Sequence, residues 1–235
     1  MEKNIQNRIL YFFVAIFIFT NLGFYKTYLI HFPKFEGFPW IYHVHGMLAM
    51  AWVLMLIAQA YLIRVQKYSL HKSIGKLSYI VFPLFLASLF LVAKESYFRN
   101  IKKITKADAL AQLPLGGTID IFFLGLVFAF AMIYRKNVGF HLRFMASTGF
   151  AVLGPGLGRF LFNTLSLPGP VGGIIMLVFT TIAPIAWLIM DIRNKKSAFP
   201  MGFYVFVAFC MNAIGIGSHS AWWQSFARWW VETFY

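Results

Sequence analysis

The chain has 235 residues, 60% of them apolar and 12% charged, with 21 Lys and Arg against 7 Asp and Glu and a net charge of +14. A soluble domain of this size could not cover its surface with so few polar side chains, which excludes a water-soluble fold and calls for lipid around the molecule. The basic excess would suggest nucleic acid in a soluble protein. Here the cations fall between apolar runs, which suits anionic membrane lipids and excludes a nucleic-acid partner.

Apolar runs near the ~20 residues that cross a hydrocarbon core occur at 9–30, 41–63, 77–94, 117–134, 142–163, 171–192 and 201–223. The expected fold is therefore all-α: a single polytopic transmembrane bundle over residues 1–235 with seven spans. The first run is too long for a signal-peptide core and reads as a span. Turn-forming or charged punctuation separates the runs: His31-Phe32-Pro33-Lys34, Arg64 to Lys76, the polar stretch Glu95 to Pro114, Arg135-Lys136-Asn137, Leu167-Pro168-Gly169-Pro170 and Asn194-Lys195-Lys196.

One set of connections holds Lys3, Arg8, Arg64, Lys67, Lys72, Lys76, Arg135, Lys136, Arg143, Arg193, Lys195 and Lys196; the other holds mainly Arg99, Lys102, Lys103 and Lys106. The positive-inside bias then places the N-terminus inside and the C-terminus outside. A multi-pass protein of a bacterial inner membrane fits; the lack of period-2 alternation excludes an outer-membrane barrel. Trp222, Trp223, Trp229 and Trp230 read as an aromatic anchor at the outer interface. Gly154-Pro155-Gly156-Leu157-Gly158 in the fifth span reads first as a close helix-packing surface.

Ionisable groups inside a membrane are costly and point to a partner or a job. His43, His45, Asp120, Arg159 and His219 fall near the outer face, with His31 just after the first span; His71, His141, Arg143 and Asp191 fall near the inner face. His43 and His45 are about 200° apart around a helix, so one ion cannot take both. His45 shares a face with Trp52 and Gln59 at intervals of seven and is expected to point inward. Asn212 and His219 repeat that interval in the last span, with Gly215 and Gly217 leaving room between the stripes.

Two imidazoles from different helices at one depth suit a bis-histidine haem b. His45 with His219 is the first such pair and His71 with His141 the second, with Trp52 and Gln59 supporting the ligands and Arg159 balancing a propionate or Asp120. The outer residues also suit zinc, with His45, His219 and Asp120 as three ligands and an open position for water. His31, His43 and His71 read as interfacial groups, Asp120 with Arg159 as a paired charge tying two helices, and Lys72 and Arg143 as headgroup contacts. The single Cys210 gives neither a disulfide framework nor a cluster motif.

The runs His43-Val44-His45-Gly46 with Trp52 and Gln59, Leu70-His71-Lys72-Ser73-Ile74-Gly75, and His141-Leu142-Arg143-Phe144-Met145 with Pro155 and Arg159 resemble a group of bacterial seven-span membrane proteins. That group carries H-x-H-G, H-[R/K]-x-x-G and H-x-R-x-M elements. The resemblance covers about residues 40–160 and implies the architecture and a histidine-bearing core, with no activity to carry over. Histidines at both faces also make the chain similar to two-haem b-type transmembrane cytochromes. Seven spans with an intramembrane Asp are similar to the progestin/adipoQ receptor and alkaline ceramidase superfamily of zinc hydrolases, although Ser220-Ala221-Trp222-Trp223 follows His219 where an H-x-x-x-H element is expected. The leading expectation is a haem- or metal-binding electron-transfer protein with a redox partner or membrane complex. A zinc-dependent lipid hydrolase, a non-catalytic accessory or assembly subunit, and a proton path along His45, Trp52 and Gln59 are the rivals.

Overall fold

The computed structural model describes residues 3–113 and 118–235, with side chains from residue 5 onwards. The Lys3 side chain, the end of the polar stretch at Pro114 and the expected start of the fourth span at 117 lie outside the described residues. The described chain is helical, without strands: α1 (Lys3–Tyr25), α2 (Trp40–Arg64), α3 (Tyr68–Gly75), α4 (Ser78–Asn100), α5 (Lys106–Ala111), α6 (Asp120–Ile133), α7 (Val138–Arg159), α8 (Gly169–Leu177), α9 (Ala183–Arg193), α10 (Phe199–Ile216) and α11 (Ala221–Phe234). A π-turn at Val178–Ile182 joins α8 to α9 in one continuous rod, and another at Phe160–Thr164 extends α7.

Five of these rods are long and apolar enough to cross a membrane: Ile5–Tyr25, Trp40–Arg64, Ser78–Asn100, Gly169–Arg193 and Phe199–Ile216. The chain is thus an integral, multi-pass membrane protein in composition. Much of this apolar surface faces outward, with Ile174 64% and Phe209 69% exposed, a cost that only lipid contact removes. The short α6 is also apolar. The 22-residue α7 is less so because it is central: it packs against α1, α6 and α10 and buries Phe144, Ser147, Thr148, Phe150, Leu153 and Leu157. A helix shielded by its neighbours needs no lipid-facing apolar side chains and can carry polar ones.

The connections α2–α3–α4, α6–α7 and α9–α10 lie at one end of the bundle, here the α3 end; those holding α5 and α11 lie at the other, the α5 end. Between them sits a core of Phe13, Ile16, Trp52, Leu56, Phe82, Phe128 and Leu153. Phe82 stacks on Phe128 at 4.2 Å and meets Trp52 at 4.5 Å. The α1–α7 crossing is set by glycine: a Cβ on Gly156 would come within 2.7 Å of Thr20 Cα, and one on Gly23 within 1.9 Å of the Gly156 carbonyl oxygen. This is the close packing expected of the glycine run, and α7 continues through Pro155 to Arg159.

Two expected boundaries shift. The polar stretch that begins at Glu95 is not all connection: α4 runs to Asn100 and α5 follows, capped by Thr105, whose hydroxyl oxygen accepts from the Asp108 N–H at 3.1 Å. The run 201–223 breaks after Ile216, where Gly217 to Ser220 turn the chain into α11. The Ser220 hydroxyl caps α11 by accepting from the Trp223 N–H at 3.3 Å. The tryptophans expected to anchor at the interface divide: Trp223 and Trp230 are buried, while Trp222 and Trp229 are exposed.

Candidate functional site

At the α3 end, α1, α2, α3, α4, α6 and α7 line a cavity of about 840 Å³. Its position follows from the buried stripe of α2, on which Trp52, Leu56 and Gln59 recur at helical spacing. Gln59 ties down α3. With its amide nitrogen turned to His71, it donates to His71 Nδ1 and to the His71 carbonyl at 3.0 Å, while its oxygen accepts from the Gly75 N–H at 3.3 Å. Burial holds the pKa of His71 below the ordinary imidazole value; nearby His141 and Lys72 lower it further, and a hydrogen bond to the Gln59 backbone opposes them. The ring is therefore neutral near pH 7.

His141 reaches the same cavity from the first turns of α7. Its Nδ1–H donates to the Ala131 carbonyl at 2.8 Å, an acceptor in the last turn of α6 where main-chain carbonyls lack helical partners. That bond leaves Nε2 as a lone-pair donor. Met145, one turn further along α7, Met55 and Met132 line the walls, and Lys72, Lys76, Arg135 and Lys136 supply cations. Trp52 is fully buried on the wall, and its Nε1–H has no hydrogen-bond acceptor.

The remaining expected residues lie elsewhere. His45 stacks on Phe85 at 5.5 Å and meets Ser88 Oγ at 3.0 Å; since the Ser88 hydroxyl donates to the Phe85 carbonyl at 2.7 Å, the proton between them belongs to His45 Nδ1. His219 sits in the turn before α11, its side chain 65% exposed and 3.9 Å from Asp108. His45 therefore faces α4 and His219 faces α5, and no contact joins them. Asp120 and Arg159 both line a second cavity, of about 530 Å³, at the α5 end, yet no ion pair within 4.0 Å links them; among the described residues the ion pairs are Arg143–Asp191 and His219–Asp108. Among the described residues no group of three or more His, Cys, Asp or Glu side chains comes together as a metal site. His43 is hydrogen-bonded to the Tyr28 hydroxyl, and His31 lies against Phe38 at 5.2 Å.

Arg143 is not a headgroup contact. Its guanidinium is buried and forks onto Asp191, Nε to Oδ2 and Nη2 to Oδ1 each at 2.5 Å, and its Nη1 donates to the Gly139 carbonyl at 2.8 Å. A charge at this depth is tolerable only when paired and fully hydrogen-bonded. The signal was present in the sequence, where Arg143 and Asp191 fall at the same depth, but two residues 48 apart carry no local motif that joins them.

No protein-family model matches the chain, and neither the curated proteins nor the solved structures contain a match.

Proposed function

We propose that the chain crosses a bacterial inner membrane seven times, with the N-terminus and the α3 end in the cytoplasm, and serves as a haem-binding electron-transfer protein whose ligands are His71 and His141. The orientation rests on the excess of Lys and Arg at the α3 end over the group at Arg99, Lys102, Lys103 and Lys106. Counting α6 and α7 as spans rests on the apolarity of α6 and on the shielding of α7 by its neighbours.

One observation carries the cofactor reading: two imidazoles from different elements, each anchored through Nδ1, line one large and mostly apolar cavity with cations around it. Metal-bound histidines commonly donate the second ring N–H to a carbonyl or carboxylate, as His141 does to Ala131. Its volume suits a large ligand, since small-molecule sites span about 300–1,000 Å³, and Lys72, Arg135 and Lys136 fit the charge of propionates. Ligation by Nε2 places the ring proton on Nδ1. His141 already has it there; at His71, a half-turn of the Gln59 carboxamide exchanges its donor for an acceptor. Bound haem would supply one-electron redox chemistry, with the basic α3 end as the approach for an acidic redox partner. The zinc reading lacks comparable support, because His45, Asp120 and His219 face different surroundings.

The test is the absorption spectrum of the full chain purified from haem-replete cells. A Soret band that is lost in His71→Ala and His141→Ala, and kept in His45→Ala and His219→Ala, supports the reading, with size-exclusion profiles controlling for folding. A protein purified colourless that leaves the haemin Soret band unshifted on titration overturns it, and stoichiometric zinc in that protein would move the assignment to the hydrolase.

A further inference from the structure

The second cavity lies between α6 and α10 with α7 as its back wall. Towards the α3 end the two helices meet through aromatic rings, Phe130 with Phe203 at 5.0 Å and with Phe199 at 5.7 Å. Towards the α5 end they part around about 530 Å³ of space, and Ile216 on its lining is 88% exposed. The cleft thus opens at the α5 end, with Phe150 and Tyr204 on its lining.

Its two charged groups have no counter-charge within 4.0 Å among the described residues. Asp120 lines the cavity from the first turn of α6, and no hydrogen bond or ion pair engages its carboxylate among the described residues. The α6 N-terminal dipole offsets part of that charge. Arg159 has one acceptor, the Pro155 carbonyl at 3.2 Å, and lies over the Phe24 ring at 4.4 Å. Thr181 Oγ on the same lining is buried without a partner. A carboxylate and a guanidinium that share an intramembrane cavity without pairing each require a counter-charge. One molecule with an ammonium and an anionic group supplies both.

We propose that this cavity binds a zwitterion, with its ammonium group on Asp120, its anionic group on Arg159, and any apolar chain along Phe123, Leu124 and Met211. The chemistry is that of a phosphatidylethanolamine headgroup or of a free zwitterion of the same composition. The site is separate from the His71–His141 cavity, so it stands or falls independently of the haem reading.

The experiment is native mass spectrometry of the full chain released from nanodiscs of equal phosphatidylethanolamine and phosphatidylglycerol, with a parallel thermal-shift titration in detergent using glycerophosphoethanolamine. Expected is selective retention of phosphatidylethanolamine, reduced about tenfold, the equivalent of 1.4 kcal/mol, in Asp120→Asn and in Arg159→Gln. His219→Ala, in the exposed turn, should retain it like the wild type. Stabilisation by glycerophosphoethanolamine that is lost in the same two variants supports the site with a soluble ligand, even without lipid retention. Equal retention of both lipids together with no thermal shift overturns the proposal, as does binding that both variants keep. Variants are scored only when they elute as folded protein and unfold cooperatively.

Discussion

Arg143 shows what a single residue costs and contributes in this bundle. Its fork onto Asp191 removes two charges from lipid and water together, and each depends on the other. Arg143→Ala leaves the Asp191 carboxylate buried and unpaired, which is expected to destabilise by about 3–5 kcal/mol. Arg143→Leu with Asp191→Leu removes both charges and should recover most of the loss; thermal unfolding of the single and double variants in one detergent checks both. Gln59 acts at the same scale by holding His71. Gln59→Leu keeps the volume and removes both hydrogen-bonding functions, so haem affinity should fall by about 10–100-fold, measured by haemin titration. The inward direction of Trp52 and Gln59 was legible from the seven-residue interval along α2. The pairing of His71 with His141 over His45 with His219 was less so, because it depends on α3 folding back beneath α2 through Gln59 and on the chain turning at Gly217.

Among elements, α7 is the one on which the others converge, and its glycines decide how closely. Gly156→Leu would drive a side chain into the Thr20 backbone, where no rotamer change gives relief. The expected cost is at or above the usual overpacking range of about 1–3 kcal/mol. Gly154→Ala meets nothing within 4 Å and should be near neutral, so the two unfolding midpoints together separate packing from helix propensity. Hydropathy marked the apolar rods because crossing length and lipid exposure are properties of composition. It ran past the true end of α10 because residues after Gly217 remain aromatic, and it passed over α5 because six residues capped by Thr105 are too short for a periodic signal.

At the scale of the molecule, the two ends of the bundle differ in charge and in cavity. The α3 end gathers cations around the imidazoles of His71 and His141; the α5 end opens a cleft holding one unpaired acid and one unpaired base. Composition and exposed apolar surface together place the chain in a membrane, since neither its charge fraction nor that surface suits water. The proposed orientation is open to direct measurement. In a Cys210→Ser background, Lys103→Cys in the α4–α5 turn should react with a membrane-impermeant maleimide on intact spheroplasts, and Lys195→Cys in the α9–α10 turn only after lysis. The reverse pattern inverts the topology and places the His71–His141 cavity outside.

The account turns most on that cavity. Its most direct test is the visible spectrum of the purified chain beside its four histidine variants. The prediction is a Soret band that survives loss of His45 or His219 and disappears with His71 or His141. A band that depends instead on His45 and His219, or a folded protein that takes up no haem at all, would contradict it.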